Sequence, residues 1–232
     1  MGVMNKEAFY EQVRGRLIVS CQALPEEPLH SSYIMSRMAY AAYLGGAAGI
    51  RANTVEDITE IRKTTPLPVI GIIKRVYDER PDVYITPTAA EVEALVKCGV
   101  EVIAMDATRR PRPAGESLDS FFQKVRVEYP DQLFMADCSN VEEGLHAAEL
   151  GFDLIGTTMA SYTPYTAGCS LPPFEMIERL VKESGKPVVA EGNIITPDDL
   201  RHAMDLGILT AVVGSAITRP LEITKRFVAA LK

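Results

Sequence analysis

The chain is poor in what metal and redox sites are built from. It holds three histidines and four cysteines in 232 residues. Cys21, Cys98, Cys138 and Cys169 lie far apart with no CxxC pair. With scattered histidines they make no zinc spacing, so free thiols in a reducing compartment are expected. A dinucleotide fingerprint is also missing. Gly45-Gly-Ala-Ala-Gly49 lacks the GxGxxG order and follows a helical pattern instead of a strand. There is no basic excess: the formal net charge is −7, which argues against nucleic acid and anionic membrane as partners. An anionic small substrate stays allowed, because the charge of a site is local. No apolar run reaches the roughly 18 residues of a membrane span. The first residues, with Glu7 and Glu11, lack the basic-then-apolar order of a signal peptide. A cytoplasmic protein without metal or cofactor is expected, active after chelation and dialysis.

What the chain does have is a repeat. Hydrophobic residues make up 47% of it, and they fall into short apolar runs about 20 to 35 residues apart with a helical pattern between each. The runs are Arg16–Ser20, Ala48–Arg51, Pro68–Lys74, Val100–Asp106, Leu133–Asp137, Phe152–Thr157, Pro187–Glu191 and Thr210–Gly214. Helix starts are marked at Ser31 or Ser32, Asn53-Thr54, Thr88, Ser117, Ser139, Thr196-Pro197 and Arg219-Pro220. A short leading helix over Asn5–Val13 precedes the first run. Arg75–Thr86, Arg109–Pro113 and Thr158–Pro173 read as loops. Eight βα units without a linker indicate an α/β fold: residues 1–232 as a single-domain (β/α)8 TIM barrel with a short extra helix at the start.

In such a barrel, chemistry sits where the strands stop. Here they stop at Gln22, Arg51, Lys74, Asp106, Asp137, Thr157, Glu191 and Gly214. Any apolar run must end at something polar, and that plain account weighs equally for Gln22, Thr157 or Asp106 taken singly. It does not account for two cations and three carboxylates converging at one mouth, a costly cluster unless it does chemistry. Lys74 and Glu191 are therefore the candidate reacting groups. Gly192, Asn193, Gly214 and Ser215 follow the last two strands, where glycine lets backbone N–H groups approach an anion. Arg219 adds a charge at the next helix start, completing a candidate phosphate clamp.

Seven segments in this order resemble one bacterial family: Ser20-Cys-Gln-Ala-Leu-Pro25, Gly49-Ile-Arg-Ala-Asn53, Pro68-Val-Ile-Gly-Ile-Ile-Lys74, Met135-Ala-Asp137, Gly156-Thr-Thr158, Ala190-Glu-Gly-Asn193 and Val213-Gly-Ser-Ala-Ile-Thr-Arg-Pro220. The family is the N-acetylmannosamine-6-phosphate 2-epimerases. The resemblance implies an isomerase that interconverts N-acetylmannosamine 6-phosphate and N-acetylglucosamine 6-phosphate in sialic acid and amino-sugar catabolism. It implies Lys74 and Glu191 as the acid/base pair, Gln22, Arg51 and Asp137 on the sugar, and Gly192, Gly214 and Arg219 on the phosphate. Thr157 joins the expected substrate contacts. The partner is then a small amino-sugar phosphate, with a homodimer the one assembly considered. The leading helix extends the family's usual start, and Ala167-Gly-Cys-Ser170 is left without a role.

The inventory suits that chemistry. Inverting a carbon beside a carbonyl needs proton removal, an enolate, and a proton returned on the other face, with no redox cofactor. Two rivals remain at this level. A lyase could form a Schiff base on Lys74, and a non-catalytic barrel could simply hold a sugar phosphate.

Overall fold

The computed structural model describes residues 4–77, 80–113 and 115–231. Its strands are β1 (Leu17–Cys21), β2 (Gly49–Asn53), β3 (Val69–Ile72), β4 (Lys74–Tyr77), β5 (Arg80–Ile85), β6 (Val102–Asp106), β7 (Leu133–Asp137), β8 (Leu154–Gly156), β9 (Val188–Glu191) and β10 (Thr210–Val213). The helices are α1 (Lys6–Val13), α2 (Ser32–Leu44), α3 (Val55–Arg62), α4 (Ala89–Cys98), α5 (Leu118–Glu128), α6 (Val141–Leu150), α7 (Phe174–Glu183), α8 (Pro197–Asp205) and α9 (Pro220–Ala229). Eight strands close into a parallel barrel in the order β1-β10-β9-β8-β7-β6-β3-β2. The expected TIM barrel is thus the fold.

Two apolar layers hold it. Side chains alternate across each strand. Ile18, Ile70, Ile72, Val102, Ala104, Leu133, Met135, Leu154, Val189 and Val212 point into the barrel. Their neighbours, among them Val19, Ile50, Val69, Ile103, Phe134 and Ile155, pack against the helices. Each Val, Leu, Ile, Phe or Met among them, taken fully out of water, contributes about 1.5–3 kcal/mol. Phe9 and Val13 of α1 join the inner layer, so the leading helix closes the barrel floor. Asn5 starts α1 by accepting the Ala8 N–H at 2.9 Å.

Three local expectations are corrected. Arg75–Thr86 is not a loop. The chain leaves β3 at Ile72 and folds into the antiparallel pair β4–β5, with Lys74 opposite Ile85 and Arg75 opposite Tyr84. The charged residues of this segment hid, in the sequence, two short strands that satisfy each other's backbone. Lys74 therefore opens this hairpin instead of ending β3, and its N–H is held by Asn53 Oδ1 at 2.9 Å. The cap of α6 is Asn140 and not Ser139: Asn140 Oδ1 accepts the Glu143 N–H at 2.9 Å, while Ser139 donates to the Glu143 carboxylate. β8 stops at Gly156, one residue short of Thr157.

Candidate active site

Continuing the inward alternation past the apolar layers gives the site directly. Two residues beyond Ile18 stands Ser20, then Gln22. Two beyond Ile72 is Lys74, two beyond Met135 is Asp137, and two beyond Val189 is Glu191. Gln22, Arg51, Lys74, Glu191, Gly192, Asn193, Gly214, Ser215 and Arg219 all line one cavity of about 440 Å³ at this mouth.

At its base lies a charged cluster. Arg51, 1% exposed, donates to both carboxylate oxygens of Asp137, at 3.1 and 2.6 Å. Its Nη1 also stands 3.0 Å from Glu191 Oε2. Asp137 is fully buried and lies behind the cavity wall, so it aims Arg51. A buried bidentate pair of this kind fixes orientation, and removing one partner strands the other's charge.

The same surroundings move both candidate reacting groups. Burial, and then the positive charges of Arg51 and Arg219, lower the Lys74 ammonium to about 8. Burial and the neighbouring Asp137 carboxylate raise Glu191 above the usual carboxylate range, against the pull of Arg51 and Lys74. Lysine becomes easier to deprotonate and glutamate easier to protonate. Such opposed perturbation in one cavity marks acid–base chemistry.

The far end suits an anion. After β9 the backbone turns through positive φ at Gly192 (118°) and Asn193 (52°). Gly214 lies so close to β1 that a Cβ there would stand 3.1 Å from Ser20 Cβ. In the turn that follows, the Ser215 and Ala216 N–H groups find no acceptor among the described residues. Arg219 Nη2 pairs with Glu27 Oε1 at 2.9 Å, leaving its other donors for a ligand. Gln22 donates to Ser20 Oγ at 2.8 Å, and its buried Oε1 has no partner, so it can accept from a sugar hydroxyl or amide.

Thr157 is placed elsewhere than expected. It is fully buried and outside the cavity lining. Its hydroxyl accepts the Glu191 N–H at 3.0 Å and donates to the Glu191 carbonyl at 2.7 Å. The neighbour, Thr158, faces the cavity. Asp106 also leaves the site. It accepts from the Thr108 N–H at 3.0 Å and the Thr108 hydroxyl at 2.6 Å, and pairs with Arg110. Arg110 and the hairpin residues Asp82 and Val83 contribute to the wall, as does Tyr162, 70% exposed. Nothing in the sequence pattern singled these out, since hairpin and loop meet only in space. The loop carrying Thr158 and Tyr162 is anchored through Tyr165, whose hydroxyl donates to buried Glu143 at 2.6 Å. Among the described residues no group of three His, Cys, Asp or Glu could hold a metal ion.

Comparison with known proteins points one way. A family profile described as "Putative N-acetylmannosamine-6-phosphate epimerase" matches residues 35–232. The chain is 54% identical over 220 residues to a Clostridium perfringens (strain SM101) protein, an alignment covering 95% of this chain and 98% of the relative. It is 56% identical over 214 residues to one from Staphylococcus aureus (strain Newman), covering 91% and 96%. Both relatives bear the same description, as 2-epimerases. A solved structure of the N-acetylmannosamine-6-phosphate 2-epimerase from Clostridium perfringens matches with a TM-score of 0.92 at 50% identity, covering 99% of each chain.

Proposed function

This chain belongs to the N-acetylmannosamine-6-phosphate 2-epimerase family, and we propose that it inverts C2 of N-acetylmannosamine 6-phosphate to give N-acetylglucosamine 6-phosphate, with Lys74 and Glu191 moving the C2 proton. In the open-chain sugar C2 lies beside the C1 aldehyde. A base on one face removes the C2 proton, the electron pair delocalises into an enolate, and an acid on the other face returns a proton.

The observation that carries this reading is the opposed shift of two cavity groups, Lys74 downward and Glu191 upward. Transfer from one face to the other takes the pair from protonated lysine with ionised glutamate to neutral lysine with protonated glutamate. Ordinary proton affinities would separate these states by about six units, each worth about 1.36 kcal/mol. Burial narrows that gap, so both states are accessible in one turnover. Arg51 supplies fixed positive charge near the developing enolate. Gly192, Asn193, Gly214, Ser215 and Arg219 hold the phosphate, whose binding energy places C2 between the two groups. Gln22 and Arg51 orient the sugar.

Proton NMR of either sugar phosphate with the protein in deuterium oxide tests this. Product labelled at C2, with recovered substrate mostly unlabelled, is expected of two groups on opposite faces. Product that keeps its original hydrogen would assign both faces to one group. Covalent capture of Lys74 by borohydride and substrate would replace the epimerase reading with Schiff-base lyase chemistry.

A further inference from the structure

Glu191 uses its two carboxylate oxygens differently. Oε2 is 3.0 Å from Arg51 Nη1 and 3.3 Å from Thr158 Oγ1. Oε1 has no hydrogen-bond partner among the described residues, and Glu191 lines the cavity. One oxygen is thus held from behind and the other is left for substrate. Thr158 Oγ1 stands closer still to a second carboxylate, 2.5 Å from Asp137 Oδ1. Its place follows from the strand. Counting by two from inward-facing Leu154 through Gly156 brings Thr158 to the inside, while Thr157 clamps the Glu191 backbone.

A hydroxyl has one proton and can turn it. The Arg51 protons cannot follow a change of charge, because two of its nitrogens are engaged with Asp137. Thr158 can. When Glu191 is ionised, the hydroxyl proton turns toward Oε2 and supports the negative charge. When Glu191 takes a proton on Oε1, Oε2 becomes a weaker acceptor and the hydroxyl proton returns to the Asp137 carboxyl group that Arg51 holds.

We infer that Thr158 is a positioning residue for proton transfer at C2: with Arg51 it fixes Oε2 of Glu191, and its hydroxyl proton swings between Asp137 and Glu191 as Glu191 loses and gains its proton. This rests on Glu191 acting as an acid/base group. The charges facing Glu191 are Arg51, Asp137 and Lys74, and Thr158 is the uncharged group that adjusts among them.

The test uses Thr158→Val, which keeps the shape and removes the hydroxyl, and Thr158→Ser, which keeps the hydroxyl. Glu191→Gln is measured in parallel. A lost hydrogen bond to a charged group corresponds to about tenfold to a hundredfold in rate. Thr158→Val is expected to lose that much kcat with KM within about twofold, and Thr158→Ser to recover most of it. If Thr158→Val does not fold, Thr158→Ala supplies the same measurement. Unchanged kcat in the hydroxyl-free variant, with Glu191→Gln inactive, overturns this role alone. A raised KM with kcat preserved also overturns it, since Thr158 would then be a substrate contact. Full turnover in Glu191→Gln removes the acid/base reading and this inference with it.

Discussion

Lys74 and Glu191 share one cause for opposite changes, since burial penalises charge on both. The pair works when it carries one proton, with Glu191 ionised and Lys74 protonated or the reverse. Below the raised Glu191 value both are protonated and no base remains. Above about 8 both are deprotonated and no acid remains. kcat/KM should therefore follow a bell whose alkaline limb lies near 8 and whose acid limb lies well above the ordinary carboxylate range. An alkaline limb near the ordinary lysine value would contradict the placement of Lys74. Lys74→Ala and Glu191→Ala should each lose at least about 10²–10⁴ in kcat while still binding the sugar phosphate; near-normal turnover in either would refute the assignment. Arg219→Ala should act on KM instead. Charge-assisted bonds worth about 1.5–3 kcal/mol imply roughly a tenfold to hundredfold loss of affinity, read by steady-state kinetics.

At the scale of elements, α1 and the β4–β5 hairpin serve opposite mouths of the barrel. The hairpin supplies Lys74 and part of the cavity wall, whereas α1 seals the floor with Phe9 and Val13. Phe9→Ala should cost about 3–5 kcal/mol by opening a cavity in the inner layer. For a chain of this size that is a fall in Tm of roughly 6–20 °C. Turnover at a temperature well below the new Tm should stay close to normal, because no cavity-lining residue belongs to α1. A calorimetric scan with unchanged Tm would show that α1 does not carry the floor.

Across the whole molecule, α9 differs from the other helices in burying none of its residues. Phe227 is 75% exposed, and Leu221, Val228 and Leu231 lie open near it. Exposed apolar side chains gathered on and just after one helix suit an interaction surface. The homodimer considered from the sequence would use it. Light scattering should then give twice the mass of one chain, and Phe227→Asp should shift the protein toward monomer; a wild-type monomer at micromolar concentration would end that proposal. Among the described residues no helix is long and apolar enough to cross a membrane.

The sequence by itself determined the repeat of eight βα units and the carboxylates Asp106, Asp137 and Glu191 at which three of the barrel strands stop. These depend on neighbours two to four positions apart, which any reader of the chain can count. Reading the sixth strand one residue too far favoured Thr157, whereas the closed barrel turns Thr158 to the cavity. Tertiary structure alone decided the rest. Arg51 meets Asp137 across 86 positions, and Arg219 meets Glu27 across 192. Those pairings exist only once the barrel closes, because closure sets which strand ends face one another. The shifted proton affinities of Lys74 and Glu191 have the same origin: they follow from how much water and which charges surround a group, and both are properties of the closed mouth.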